Sequence, residues 1–329
     1  MAAEIGRRTQ CAIGREETTY GTLSAALLGL PFTSIAVAET KNTVMNNQAY
    51  GRIEENTEGS KIGSKMAQIT LGGILPVVAV GHLLKAVFRD MATVNDSPVA
   101  SADTHTFTLD NDSNAHPSYS IVYKDGIQQR AVLGALLNTL TINIVAGEWV
   151  TYEAVFIGRF PVANTSDITY TDEEKWTASM AQMKMGATIA GLGSAMTISE
   201  ATIVFEKNAN PYYAWGSQDV NKVVNHQFSV RVDTTNLWEG TTERTLFTDH
   251  TVQALQIKLT TTAFVTGTTP YDLTINLRNG KVTEHNIGRG LDETMEQTFT
   301  FLAEYDISET SEADAVLING TNGSVYGVT

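Results

Sequence analysis

The sequence predicts a mainly β protein, a β-sandwich or barrel-forming fold flanked by one helix. Three observations carry that prediction. Apolar and polar residues alternate with period two in many stretches, most clearly over residues 139–144 and 150–156, on either side of a turn at Ala146-Gly147-Glu148. Glycine (26 residues) and abundant threonine favour strands and turns over long helices. Charged residues make up 18% of the chain and hydrophobic ones 42%, a balance that disfavours both disorder and charge-rich coiled coil.

Residues 1–30 read as an N-terminal arm, polar from Arg15 to Thr22, either disordered or docked on a neighbour. Residues 33–39 form the first strand, with Ile35 and Val37 on one face. Residues 40–64 lack periodicity and read as a long loop or a loose hairpin, a length that is usually functional when ordered. Residues 66–71 form a short strand that Gly72 and Gly73 break. A helix follows over 74–88, with Pro76 suited to its first turn and apolar residues around most of its circumference, so it is expected to be buried. His82 stands alone on it and reads as a core residue rather than a ligand. Residues 105–109 and 119–123 are strands, the second ending at the tight-turn signal Lys124-Asp125-Gly126.

The central ribbon spans residues 131–159. Leu140, Ile142, Ile144, Tyr152 and Phe156 share its dry face; Thr139, Thr141, Asn143, Thr151 and Glu153 share its wet face. Residues 166–195 read as a connector, because charge rises and composition shifts there. Further strands are expected at 197–206, 227–233, 255–265, 271–277, 296–305 and 315–318, with a short helix within 241–254.

The two halves echo each other. Residues 120–126 with Gly134 eight residues later parallel residues 274–280 with Gly288 eight residues later. On this reading residues 31–165 and 196–329 are tandem copies of one unit, each of ordinary domain size. The strand at 296–305 then matches the central ribbon, with Glu296, Thr298, Thr300 and Glu304 as its wet face.

Composition excludes several classes of function. Net charge is −14: residues 1–165 carry 12 basic and 15 acidic groups, residues 166–329 carry 10 and 21. Without a basic cluster the chain is a poor candidate for gripping nucleic acid, although DNA can slide past an acidic wall. The single cysteine, Cys11, rules out an internal disulfide and fits folding in a reducing cytoplasm. No apolar run reaches the ~18–20 residues of a membrane span. Arg7, Arg8 and Arg15 precede the apolar stretch 23–30, but Glu16, Glu17 and Pro31 argue against a signal peptide. There is no phosphate-binding loop, no His-Glu-x-x-His helix and no Gly-x-Ser-x-Gly elbow, and the six histidines lack ligand spacing. No enzyme activity, cofactor or metal is expected.

The order of features resembles the major tail tube proteins of long, non-contractile-tailed (siphovirus-type) bacteriophages. The matching residues are Glu17-x-x-Tyr20-Gly21-Thr22, the strand at 33–39 and the helix around Leu83-Leu84. Pro117 to Ile121 with the Asp125-Gly126 turn, and Gly134 leading into the strand at 140–144, complete the set. The resemblance implies a virion structural subunit, assembled in the host cytoplasm, that builds stacked rings around a channel for DNA passage. It implies wet-face side chains in the lumen, and contacts to the adjacent ring from the arm and the loop after the first strand, here Glu17, Tyr20, Asn46, Asn47, Tyr50, Arg52, Glu54 and Glu55. Three duplicated chains, or six unduplicated ones, would close a ring. Its partners would be other copies of itself, a tape measure protein, and tail terminator and tail tip proteins. The rival reading is a β-sandwich adhesin or carbohydrate-binding module using Tyr212, Tyr213 and Trp215.

Overall fold

The alternating stretches fold as strands, and nearly all of them join one antiparallel network. The computed structural model describes residues 6–16, 19–46, 48, 51, 53, 59–95, 102–111, 114, 116–288, 291, 294–308 and 310–326. In the first half these include β1 (Gln10–Arg15), β2 (Leu28–Gly29), β3 (Ser34–Val44), β4 (Lys61–Ile74), α1 (Val80–Phe88), β5 (Arg89–Asn95), β6 (Asp103–Leu109), β7 (Tyr119–Lys124), β8 (Gln129–Val145), β9 (Thr151–Gly158) and β10 (Val162–Ala163). The second half holds β11 (Ala181–Gly186), β12 (Leu192–Ala195), β13 (Ile198–Glu206), β14 (Asn210–Tyr212), β15 (Lys222–Val224), β16 (Ser229–Leu237), α2 (Thr242–Asp249), β17 (Gln253–Thr266), β18 (Thr269–Gly288), β19 (Glu296–Ala303) and β20 (Ala313–Asn319).

One layer is an eight-stranded antiparallel sheet in the order β3–β4–β9–β8–β13–β16–β19–β18. Across the core from it lie β2–β1–β7 and the run β17–β18–β20–β6–β5. Two long strands belong to both layers. Up to Ala135, β8 pairs with β7 and β10; from Leu136 it pairs with β9, and from Thr139 with β13 as well. Likewise β18 pairs with β20 up to Leu277 and with β17 up to Gly280, and with β19 from Gly280 onward.

The bend in β8 has a visible cause. Gly134 has φ +60°, a conformation that favours glycine, and a Cβ there would run into the Tyr20 ring. Its N–H donates to the buried Glu16 carboxylate at 2.7 Å. The same carboxylate accepts from the Gly21 N–H (2.7 Å), the Ser118 hydroxyl (2.6 Å) and the Ser120 hydroxyl (3.0 Å). Glu16 thus ties the N-terminal segment, β7 and the bend of β8 together.

The core fills the space between the layers. Every residue of α1 is buried, and Phe88 meets Phe205 edge-on. His82 lies between the rings of Tyr119 and Tyr326, and burial pulls its pKa down to about 4, so it is a neutral core residue as expected.

The structure differs from the sequence expectation in several places. The N-terminal arm contains a core strand: Cys11, Ala12 and Ile13 are fully buried on β1, which pairs with β7 along its whole length. Gly72 and Gly73 do not break β4; a Cβ on Gly72 would strike the Ser34 hydroxyl, and one on Gly73 would crowd the Tyr152 ring. The helix starts at Val80 rather than 74, because Ile74 still pairs with Thr151 and Pro76 bridges to Lys175. The Glu173 carboxylate accepts from the Val78 and Ala79 N–H groups and so takes up donors that a longer helix would have used. Within 166–195, Trp176 is fully buried and β11 pairs with β17. Asn279-Gly280 sits inside β18, whereas Asp125-Gly126 turns.

Truncating Glu16→Ala leaves two backbone donors and two hydroxyls without their acceptor, so it should destabilise the protein by about 3 kcal/mol. The urea midpoint should fall at unchanged slope. A loss under about 1 kcal/mol would show that the node does not hold the bend.

Candidate functional site

The eight-stranded sheet has one face on the core and one face away from it. Leu140, Ile142, Ile144, Tyr152 and Phe156 are buried on the core side. Thr139, Thr141, Asn143 and Thr151 are half-buried and Glu153 exposed on the other. Register brings these polar residues together: Thr141 faces Glu153 and Asn143 faces Thr151. On β19, Glu296 and Thr298 are exposed and Thr300 half-buried on the same polar face. Glu304 lies just past the end of β19 and pairs with Lys281 at 3.1 Å.

The second half continues this polar surface without interruption. Asn143 faces Thr202, Thr202 faces Asp233, Asp233 faces Thr300, and Thr300 faces Glu284. The Thr202 hydroxyl donates to Asn143 Oδ1 at 3.0 Å, and the Thr300 hydroxyl to Asp233 Oδ1 at 2.7 Å. Arg231 lies 3.3 Å from Asp233. The face therefore carries Glu153, Glu200, Glu206, Asp233, Glu284 and Glu296 against Arg231 and Lys281, a net acidic surface. Four of these acids (Glu200, Glu206, Asp233 and Glu284) were not among the residues expected there. Alternation in 197–206 and 227–233 marks three of them; what was missing is the pairing of β13 with β8, which puts both alternations on one face.

The two halves meet at β8 and β13, joined by seven residue pairs from Glu200↔Val145 to Glu206↔Thr139. Just past β13, Lys207 turns under the sheet. Its Nζ donates to the Ala86 carbonyl at the end of α1 and to His116 Nδ1, both at 2.7 Å. Burial lowers the Lys207 pKa to about 7, and burial together with Lys207 lowers that of His116 to about 3.

The outer strands of this sheet are open. Among the described residues, β3 pairs only with β4, and residues 282–288 of β18 pair only with β19. Beyond the sheet, β3 and β4 run on as a hairpin whose paired stem reaches Val44 and Lys61.

Of the residues expected to contact an adjacent ring, Glu17, Asn47, Tyr50, Arg52, Glu54 and Glu55 lie outside the described residues. Asn46 lies just past β3, and its side chain accepts from the Gln48 N–H. Tyr20 packs within its own chain, with the Arg159 guanidinium 4.8 Å from its ring centre. The aromatic trio of the rival reading divides: Tyr212 and Trp215 are exposed, while Tyr213 packs on the small cluster of Leu136, Ile157, Val220 and Val223. Among the described residues no group of three or more His, Cys, Asp or Glu side chains is placed to hold a metal, and no helix is long and apolar enough to cross a membrane.

Among the described residues the sheet has a wet acidic face, a core on its other face and two open edges, the architecture of a structural β protein. A family model described as phage tail tube protein matches residues 6–303, and the chain belongs to that family. It is a virion tail component. No curated protein matches it.

Lys207 gives the joint a pH signature. Its folded pKa lies below the unfolded lysine value, so the unfolded state binds more protons between about pH 7 and 10.5 and stability rises with pH there. Each pH unit contributes at most about 1.4 kcal/mol. Chemical denaturation of the wild type should show that rise between pH 7 and 9, and Lys207→Met should reduce it, leaving above pH 8 the rise from Lys85, whose pKa burial lowers to about 8. An unchanged slope in the variant would contradict the assignment.

Proposed function

We propose that the protein is the tube subunit of a phage tail, that three chains close each ring, and that stacked rings enclose the channel through which DNA leaves the virion. The observation that carries this reading is the internal joint of β8 with β13. The order β3–β4–β9–β8 in the first half has the same topology as β13–β16–β19–β18 in the second. Both copies carry a bulge at the same place, between Leu137 and Thr139 in one and between Val282 and Glu284 in the other. This supports tandem duplication, with four strands of the tube wall from each unit and six units per ring.

A closed ring would pair the outer edges that β3 and residues 282–288 of β18 leave open among the described residues. The acidic face would line the lumen, where like charge keeps DNA from sticking. The β3–β4 hairpin, reaching beyond the sheet, would dock on the next ring. The tape measure protein would occupy the lumen before ejection, with terminator and tip proteins at the two ends of the tube, and assembly would take place in the host cytoplasm.

Two experiments test this. Purified protein should form rings or tubes in negative-stain images, and replacing residues 46–59 with a short glycine linker should leave rings that no longer stack; persistent tubes would count against the hairpin's role. Separately, Glu153→Lys, Glu200→Lys and Glu296→Lys together should make tubes retain double-stranded DNA at low salt and release it as salt rises, while wild-type tubes retain none. Equal retention by both would put this face outside the channel.

A further inference from the structure

The joint between the two halves is a template for the contact between chains. Its use rests on the ring reading above, but it adds which strands meet and in what register. Equivalent positions follow from the pairings. Leu137↔Phe156 corresponds to Val282↔Phe301, and after the shared bulge Leu140↔Ala154 corresponds to His285↔Phe299 and Ile142↔Tyr152 to Ile287↔Gln297. Continuing across the sheet, Ile69↔Phe156 corresponds to Val232↔Phe301, and Val37↔Ile69 to Ile203↔Val232. In this frame β18 stands where β8 stands, and β3 stands where β13 stands.

At the internal joint Ile142 faces Ile203, Thr141 faces Val204 and Asn143 faces Thr202. We infer that residues 284–288 of β18 pair antiparallel with β3 of a second copy, with Ile287 opposite Val37, Asn286 opposite Ala38 and Gly288 opposite Ala36.

Side-chain faces agree with this register. Ile142 and Ile203 are fully buried on the core side. Their counterparts Ile287 and Val37 have the same parity but are only half-buried, as apolar residues at an open edge must be. Asn286 and Ala38 are exposed on the polar face, so pairing them continues the wet surface from one chain to the next. Moving the register by one residue would set an apolar core-face side chain against a polar-face one.

On the core face the seam departs in character from its template at the pair equivalent to Leu140 and Phe205. Leu140 faces Phe205 within the chain, whereas His285 would face Glu39. His285 is held by Gln297 (2.9 Å) and Glu39 by Arg130 (3.1 Å). A polar pair here removes less apolar surface from water than the Leu140–Phe205 pair, so the contact between chains is the weaker of the two.

Disulfide trapping tests the register. Ala38→Cys with Asn286→Cys places two thiols directly opposite each other across the seam, within the span a disulfide needs. The native Cys11 is fully buried and does not compete. Mild oxidation of assembled rings should convert most chains to covalent oligomers up to a closed ring on non-reducing gels. Ala36→Cys with Asn286→Cys is two residues out of register and should link at a small fraction of that yield. If the double variant does not assemble, mixed single variants should give dimers alone. Preferential linkage of the shifted pair, or no linkage in visible rings, overturns the seam and leaves the ring reading intact. If wild-type chains form no rings, both fall.

Discussion

Hydrogen bonds along sheet edges are the constraint on which this structure depends. A buried or extended strand edge has to be paired, covered or closed off. Inside the chain the requirement is met at β8 and β13, where the strands of the first half meet those of the second. At the two ends of the same sheet it is not met among the described residues. Much of the remaining fold positions that sheet. The bend in β8, fixed by Gly134 and Glu16, carries the chain from one layer to the other, and α1 fills the space behind it.

One alternation serves two purposes. The apolar half of each strand supplies the core, where Ile142, Ile203, Val232 and Phe301 are buried side by side. The polar half supplies a hydrogen-bonded acidic surface running from Glu153 across Thr202 and Asp233 to Glu284. A tube wall has the same needs: a dry side that holds each unit rigid and a wet side that does not bind what passes. No catalytic geometry is needed for either, and the family membership of the chain agrees with a structural role.

The central ribbon was legible in the sequence because strand periodicity is local and its faces follow from parity alone. The second strand set was legible for the same reason: Glu296 and Thr298 are exposed and Thr300 half-buried, while Gln297, Phe299 and Phe301 between them are buried. What was not legible depended on partners distant in sequence. β1 lies in a stretch whose neighbours are polar, and only pairing with β7 marks it as core. Gly72 and Gly73 look like a strand end until Ser34 and Tyr152 are seen packed against them. The start of α1 was set by Glu173, nearly a hundred residues away. The echo between halves was sought in glycine spacing, but the matched feature is a backbone bulge, at Leu137/Thr139 and Val282/Glu284, that leaves no residue signature. Only the paired registers expose it.

The central claim is that one chain supplies two equivalent pieces of the tube wall. Rotational symmetry in electron cryomicroscopy of assembled tubes tests this most directly. The account predicts rings of three chains whose inner wall shows six near-equivalent four-stranded segments, with the β18–β3 contact between chains resembling the β8–β13 contact within each. Rings of six chains, or an inner wall to which only one half of each chain contributes strands, would contradict it.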